Sequence, residues 1–348
     1  MSTQPSSLFL DAANCLKTQR PPIWMMRQAG RYMDAYQQIR KNHDFLTMIK
    51  TPELAAEITL QPIERFGFDA AILFSDILVV CEALGFPYKL VEKKGPIFDK
   101  SIETTKQIDD IDNIDVKNNL GYVFNAIKAI LPKLTPHQIP LIGFSGAPFT
   151  LASYMIEGKS SPNLLKCKTF YYQNPKSFHK LLDKIADVVI TYLNLQIEAG
   201  VKAVQIFDTW ACHLNDTELN ELSISYISKI INGISDKSVP VSVFCKGSSF
   251  THKEILKTKP SIISLDWNNS LKNVKNNIPK NVAIQGNLDP LLLFAPKEKL
   301  TIEVNKILNE MKDRPGYIFN LGHGILPKTP IENVELVVKL VQSFSNTK

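Results

Sequence analysis

Residues 22–31 read PIWMMRQAGR, and how this stretch is parsed decides the fold. Ile23 to Met26 form an apolar run that stops at Arg27, and Gln28, Ala29, Gly30 and Arg31 follow. A short run of this kind reads as a buried strand. Two guanidiniums four positions apart, with a glycine between them, read as the mouth of an anion site. Gly30 is free to take backbone angles that other residues avoid and to let a ligand approach the main chain. A strand end carrying two surface arginines accounts for the same ten residues, so the rest of the chain has to decide.

Working outward, apolar β-rich runs recur at 69–74, 140–144, 202–207, 239–244, 261–265, 282–285 and 317–321, with helix-like stretches between them. Continuous apolar runs suit strands buried on both faces, as in parallel sheets. The stretch 52–66 reads as a helix with Thr51 as N-cap, Pro52 at the first position and a bend at Pro62. Residues 175–199 and 217–233 read as helices stopped by Gly200 and Gly233, and 297–312 and 330–344 read likewise, with Pro330 near an N-terminus. Eight strands alternating with helices predict an α/β fold, a (β/α)8 TIM barrel, rather than an open doubly wound sheet, since no GxGxxG follows any run. The segment from Cys81 to about Pro136, with EKKGPIFDKS inside it, is an excursion too long for one crossover. Residues 1–348 are expected to form a single domain with a short N-terminal extension over about 1–20.

The chain has 348 residues, 44% of them hydrophobic and 21% charged, which suits a globular protein with a substantial core. Forty Lys and Arg against 34 Asp and Glu give +6, enough for acidic small molecules and too little to argue for nucleic acid. The Lys/Asn-rich stretch 271–281 reads as solvated surface. Cys15, Cys81, Cys167, Cys212 and Cys245 include no CxxC pair, so reduced thiols are the expected state. No basic leader precedes the first apolar patch and no run is long enough to span a bilayer; a cytoplasmic protein with no membrane contact is expected.

Barrel sites lie where the strands end. The runs are followed by Arg27, Ser75 and Asp76, Ser145 and Gly146, Asp208 and Thr209, Lys246, Asp266, Asn287, and Gly322 with His323. Chains leave the core at these points, so polar residues are partly expected there. Asp76 suits a helix cap, and Asp208 and Asp266 suit structural ion pairs with neighbouring lysines. His323 between two glycines has little neighbouring side chain to pack on. Cys212 and His213 are adjacent on an extended chain and point apart, and only Cys245 and His252 lie within loop reach, so no metal site is expected.

These residues carry a family resemblance. PIWMMRQAGRY (22–32) resembles the N-terminal signature of uroporphyrinogen decarboxylases, and GFSGAPFTLASYMIEG (143–158) resembles their second. FDAAILFSDILVVCEALG (68–85), QIFDTWACHL (205–214), LDW (265–267), QGNLDP (285–290) and GHGILPKTPIENV (322–334) follow in that family's order, so the match runs from about residue 8 to about 344. The resemblance implies a single barrel, a homodimer, that converts uroporphyrinogen III into coproporphyrinogen III and four CO2 without metal or cofactor. It implies Asp76 and Arg27 as catalytic residues. Substrate binding is implied for Arg27, Gln28, Ala29, Gly30, Arg31, Arg40, Asp76, Tyr154, Thr209 and His323. Asp34 and Ala35 depart from the Pro-Glu pair that relatives often carry, which reads as a changed helix start.

The chemistry fits these groups. Loss of CO2 from an acetate leaves electrons on a methylene carbon, and a pyrrole protonated at its α-carbon can take them without a cofactor. Asp76 aimed at the four pyrrole N–H groups would stabilise that cation. Eight substrate carboxylates call for an arginine rim. The proton donor stays open between Arg27 and His323. The alternative in the same barrel group is a zinc-dependent corrinoid or thiol methyltransferase, which needs a His-x-Cys pair and a distant Cys that are missing here. A non-catalytic tetrapyrrole carrier is a further reading.

Overall fold

The apolar runs form the staves of one curled parallel sheet in the computed structural model, which describes residues 7–91, 94–112, 114–247 and 252–346. The strands in chain order are β1 (Ala71–Ile72), β2 (Tyr88–Val91), β3 (Gly95–Phe98), β4 (Leu141–Gly146), β5 (Ala203–Asp208), β6 (Val241–Cys245), β7 (Ile262–Ser264), β8 (Ala283–Leu288) and β9 (Tyr317–Leu321). Seven of them make the sheet in the order β1-β4-β5-β6-β7-β8-β9, every pairing parallel. Helices return the chain between most of them, as a parallel sheet requires.

The opening stretch takes the eighth stave's place without becoming a strand. Ile23 and Phe319 form an isolated parallel bridge. Phe319 N donates to Pro22 O at 2.8 Å on the β9 side, and Asp69 N donates to Ile23 O at 2.9 Å on the other. Side chains alternate as they would on a strand: Trp24 and Met26 join the cluster inside the barrel, whereas Ile23 and Met25 join the larger cluster under the helices. The expected eight strands are therefore seven plus a bridged segment. Pro21 and Pro22 have no N–H for a ladder. In its place the Asp69 carboxylate accepts from Ile23 N at 2.8 Å and from both Arg20 terminal nitrogens at 2.8 Å. The 69–74 run is a strand only over Ala71–Ile72.

The N-terminal extension closes the barrel floor. The helix Leu8–Ala13 packs on β9. Phe9, Ala12 and Ala13 join Trp24, Met26, Ala70, Ile142, Ala203, Phe244, Ile262, Ala283 and Ile318 in the interior cluster. Phe9 is 1% exposed, a burial worth about 2 kcal/mol. Residues 1–6 lie outside the described residues.

The helix Pro52–Phe66 has Thr51 as N-cap, Pro at its start and Gly67 at φ +68° past its end. It runs through Pro62 rather than breaking there. Pro62 forfeits one bond to Ile58 O, and burial of the surrounding apolar face offsets that loss. The stretch read as one helix over 217–233 is three pieces, Asp216–Leu219, a π-helical turn Asn220–Ile224 and Ser225–Gly233. Gly200 stops the helix Pro175–Ala199 at φ +119°. Gly233 is instead helical, and a Cβ there would meet Ile190 at 2.7 Å, so close packing explains that glycine. The excursion contains the antiparallel hairpin β2–β3, whose Phe98 N donates to Gly158 O at 2.8 Å. This docks the hairpin on the end of the helix Pro148–Glu157 and makes it one wall of the barrel mouth. Glu92 and Lys93 of EKKGPIFDKS lie outside the described residues.

Candidate active site at the C-terminal mouth of the barrel

The chain turns out of the first segment at Arg27, whose φ of +59° is left-handed. That conformation is unfavourable for a non-glycine residue and persists only where the surroundings hold it. Gln28 N donates to Met25 O at 2.9 Å, Met26 N donates to Asn320 Oδ1 at 3.0 Å, and Ile325 N donates to Met26 O at 2.9 Å. Gln28, wholly buried, accepts Met25 N at 3.1 Å and donates to Ala70 O at 3.2 Å, and the Tyr32 hydroxyl closes on Gln28 O at 2.6 Å. Gln28 therefore spends its side chain on the turn. The expected special backbone belongs to Arg27, not Gly30, whose φ is ordinary; a Cβ on Gly30 would sit 3.4 Å from Arg27 O. Ala29 packs half-buried on the core.

The glycines around His323 have a direct use. A Cβ on Gly324 would lie 2.4 Å from Arg27 Cδ, and one on Gly322 would lie 2.3 Å from Trp267 N. Gly324 is thus the seat of the Arg27 side chain, and Gly322 lets the β9 loop touch the β7 loop. His323 Nδ1 accepts Gly324 N at 2.8 Å, which leaves the proton on Nε2. Its ring packs on Phe244 at 5.9 Å and Trp267 at 6.2 Å. Burial first, then the charges of Arg27 and Lys246, push its pKa down to about 4. The imidazole is neutral at pH 7.

Asp76 follows β1. Its Oδ1 accepts Leu78 N at 2.9 Å, ahead of the helix Val79–Ala83, so the expected local turn is present. Burial raises its carboxyl above the ordinary range, against the Leu78 bond and the positive charge of Arg27. Tyr154, on the helix Pro148–Glu157, stacks on Phe98 at 6.4 Å and meets Trp210 edge-on at 5.7 Å. Burial raises its phenol, Ser160 lowers it, Asp76 raises it and Arg27 lowers it. Arg27 thus acts on Asp76, Tyr154 and His323 alike, and the structure gathers these four. Thr209 and Trp210 follow β5 half-buried, and the Trp210 indole beside Tyr154 also lowers that phenol. Arg31 is exposed and Arg40 lies on the helix Asp34–Asn42, and both charges reach the buried Tyr36 phenol. That helix starts at Asp34, an acid well placed at a positive helix end.

Other strand-end groups are spent. Asp208 is no lysine partner: it is wholly buried and accepts Thr150 Oγ1 at 2.6 Å and Ser223 Oγ at 2.5 Å, with no ion pair among the described residues. Asp266 accepts Gly247 N at 2.6 Å and Asn269 Nδ2 at 2.8 Å, joining the loops after β6 and β7. Asn287 donates to Asp266 O at 2.8 Å and Asn269 O at 2.7 Å. Lys246, Trp210 and Trp267 join the mouth although sequence reasoning left them out of the site. All three sit at or just past a strand end, and that was the available signal. Among the described residues no three His, Cys, Asp or Glu side chains gather as a metal site.

The family profile described as Uroporphyrinogen decarboxylase (URO-D) matches residues 4–344. A uroporphyrinogen decarboxylase of Protochlamydia amoebophila is 45% identical over 342 residues, covering 98% of this chain and 93% of that protein. One of Ruthia magnifica is 45% identical over 346 residues, covering 97% and 99%. Among solved structures, a methyltransferase from Methanosarcina mazei superposes with a TM-score of 0.82 at 20% identity, covering 97% of this chain and 99% of that one. At that identity the likeness speaks for the barrel alone.

Proposed function

The chain belongs to the uroporphyrinogen decarboxylase family, and from that premise we propose that Asp76 and Arg27 are the catalytic pair at the barrel mouth. The protein is a carboxy-lyase that takes uroporphyrinogen III to coproporphyrinogen III in porphyrin synthesis, losing CO2 from each of four acetates. The methyltransferase reading is the weaker one. The observation that carries the site assignment is the convergence of one carboxylate with one guanidinium, a phenol and an imidazole at the same end of the barrel.

Asp76 faces the four pyrrole N–H groups of the bound macrocycle and stabilises the cation formed when a pyrrole α-carbon takes a proton. The electrons left by CO2 then fall into that ring. Arg27 holds the reacting acetate, and its left-handed backbone, fixed by Gln28 and seated on Gly324, sets the guanidinium before substrate arrives. Gln28, Ala29 and Gly30 form that turn. Arg31 and Arg40 take carboxylates farther out on the rim, and Tyr154 and Thr209 line the side. His323, neutral with its proton on Nε2, donates a hydrogen bond to a substrate carboxylate. An imidazole held near pKa 4 has no acidic proton to give at neutral pH, which makes it a binding group rather than the acid.

The test is anaerobic incubation of purified protein with uroporphyrinogen III and a chelator, followed by separation of heptacarboxylate through tetracarboxylate products. Stepwise product formation is expected; binding without decarboxylation would favour a carrier, and no binding would favour the methyltransferase. We further propose a cytoplasmic homodimer, supported by the family resemblance; among the described residues no helix is long and apolar enough to cross a membrane. Light scattering on the eluted protein gives its mass.

A further inference from the structure

Each decarboxylation replaces a carboxylate by hydrogen: R–CH2–COO⁻ + H⁺ gives R–CH3 + CO2. Four protons enter the product per substrate, and the site needs a supply of them. Behind Asp76 lie three groups that substrate binding does not use. Tyr88 opens β2 and is 4% exposed, Tyr122 lies on the helix Gly121–Leu134, and Glu82 lies on the helix Val79–Ala83. The Tyr88 hydroxyl, the Tyr122 hydroxyl and Glu82 Oε2 are all buried with no hydrogen-bond partner among the described residues.

Packing brings them together. The helix Phe45–Lys50 lies against both β2 and the helix Gly121–Leu134, and the helix Pro175–Ala199 lies against both Gly121–Leu134 and Val79–Ala83. At the outer end Lys50 Nζ pairs with Glu82 Oε1, their side chains 38% and 28% exposed, so the pair lies partly open to solvent while Glu82 Oε2 is enclosed. At the inner end Asp76 acts electrostatically on both phenols, as does Glu82. Burial raises both phenols above their ordinary range, so each stays protonated and can accept one proton while giving another. An orphaned buried hydroxyl is destabilising, and phenylalanine would fill the same space without that cost. Bridging water is the usual way such groups are satisfied.

We propose that Glu82, Tyr122 and Tyr88, linked by water, carry protons from solvent at the Lys50–Glu82 pair to the Asp76 side of the active site. Glu82 takes a proton from solvent water, each hydroxyl receives one proton and releases one, and no relay group changes its charge over a cycle. The delivered proton bonds to the methylene carbon using the electron pair left by departing CO2, and the proton held at the pyrrole α-carbon leaves as the ring regains its aromatic form, so each cycle takes up one proton net. The route rests on the placement of Asp76 under the macrocycle.

The test uses Tyr88→Phe, Tyr122→Phe, the double variant and Glu82→Gln, with the rate of the first decarboxylation measured in H2O and D2O. The double variant is expected to lose about tenfold or more in kcat, with KM unchanged, a larger solvent isotope effect and a thermal midpoint that holds or rises. Wild-type kcat and isotope effect in the double variant would overturn the route. So would a rate loss accompanied by a matching fall in midpoint or rise in KM, which marks a packing role. Asp76→Asn measured alongside separates the two readings: a dead Asp76→Asn beside fully active tyrosine variants fails the route alone, and an active Asp76→Asn fails the site assignment.

Discussion

Two polar regions share this barrel, and they spend their hydrogen bonds differently. In the interior, Trp24 Nε1 donates to Gln285 Oε1 at 2.8 Å, and Gln285 Nε2 donates to Gln205 Oε1 and Ser264 Oγ, both at 2.9 Å. Asn320 Oδ1 accepts Met26 N and Leu321 N, while Asn320 Nδ2 and, on register partners of β5 and β6, Gln205 Nε2 and Ser242 Oγ have no partner among the described residues. These groups mostly satisfy one another and join distant strands. At the mouth, Arg27 acts through its charge on Asp76, Tyr154 and His323, while the Tyr154 and His323 rings pack on Phe98, Trp210, Phe244 and Trp267 rather than on one another. A polar residue at a strand end is thus informative only once its partners are known: Asp208 and Asn287 belong with the interior kind, and Asp76 and His323 do not.

That contrast can be broken at either end. Asp76→Asn should keep the fold, since the amide oxygen can still accept Leu78 N, yet lower kcat about 10²–10³-fold; product chromatography beside a melting curve reads both, and near-normal turnover would erase the distinction. Gln285→Leu should do the reverse. It strands Trp24 Nε1 and Ser264 Oγ and should cost about 2–3 kcal/mol in urea unfolding while kcat below the transition changes little. Arg31→Gln sharpens the mouth itself. Loss of one rim cation should raise KM about tenfold, about 1.4 kcal/mol, with kcat nearly constant.

The smallest effect concerns His323. Its folded pKa of about 4 lies below the ordinary 6.5, so the neutral form favours folding. That contribution is complete above pH 6.5 and is lost as pH falls through about 4. With a discount for solvent screening, wild type should lose about 1 kcal/mol more than His323→Asn between pH 7 and pH 5. Equal losses would show that the ring is not held neutral by its surroundings.

Much of this was legible beforehand because periodicity and punctuation are local. The runs 140–144, 202–207 and 317–321 became strands, Thr51 and Pro52 opened a helix, and the strand-end rule led to Asp76 and His323. The misses are non-local. Nothing near Pro22 announces that Arg20 and Asp69 will replace a ladder, and nothing near Gly30 announces that Arg27 takes the left-handed angle. Asp208 looked like a lysine partner because Thr150 and Ser223, which bind it, are remote in sequence.

By itself the sequence determined the barrel class, the family and the residue types at the mouth. Those follow from apolar period, turn chemistry and long matched signatures carried in consecutive residues. Only the tertiary structure decided which polar groups are spent and which are free. It set Arg27 against Gly324, fixed the His323 proton on Nε2, and brought the Tyr88 and Tyr122 phenols under the electrostatic influence of Asp76 and Glu82. The physical reason is that a group's remaining hydrogen-bonding capacity and its charge state depend on what packs beside it, and packing joins residues that the chain keeps far apart.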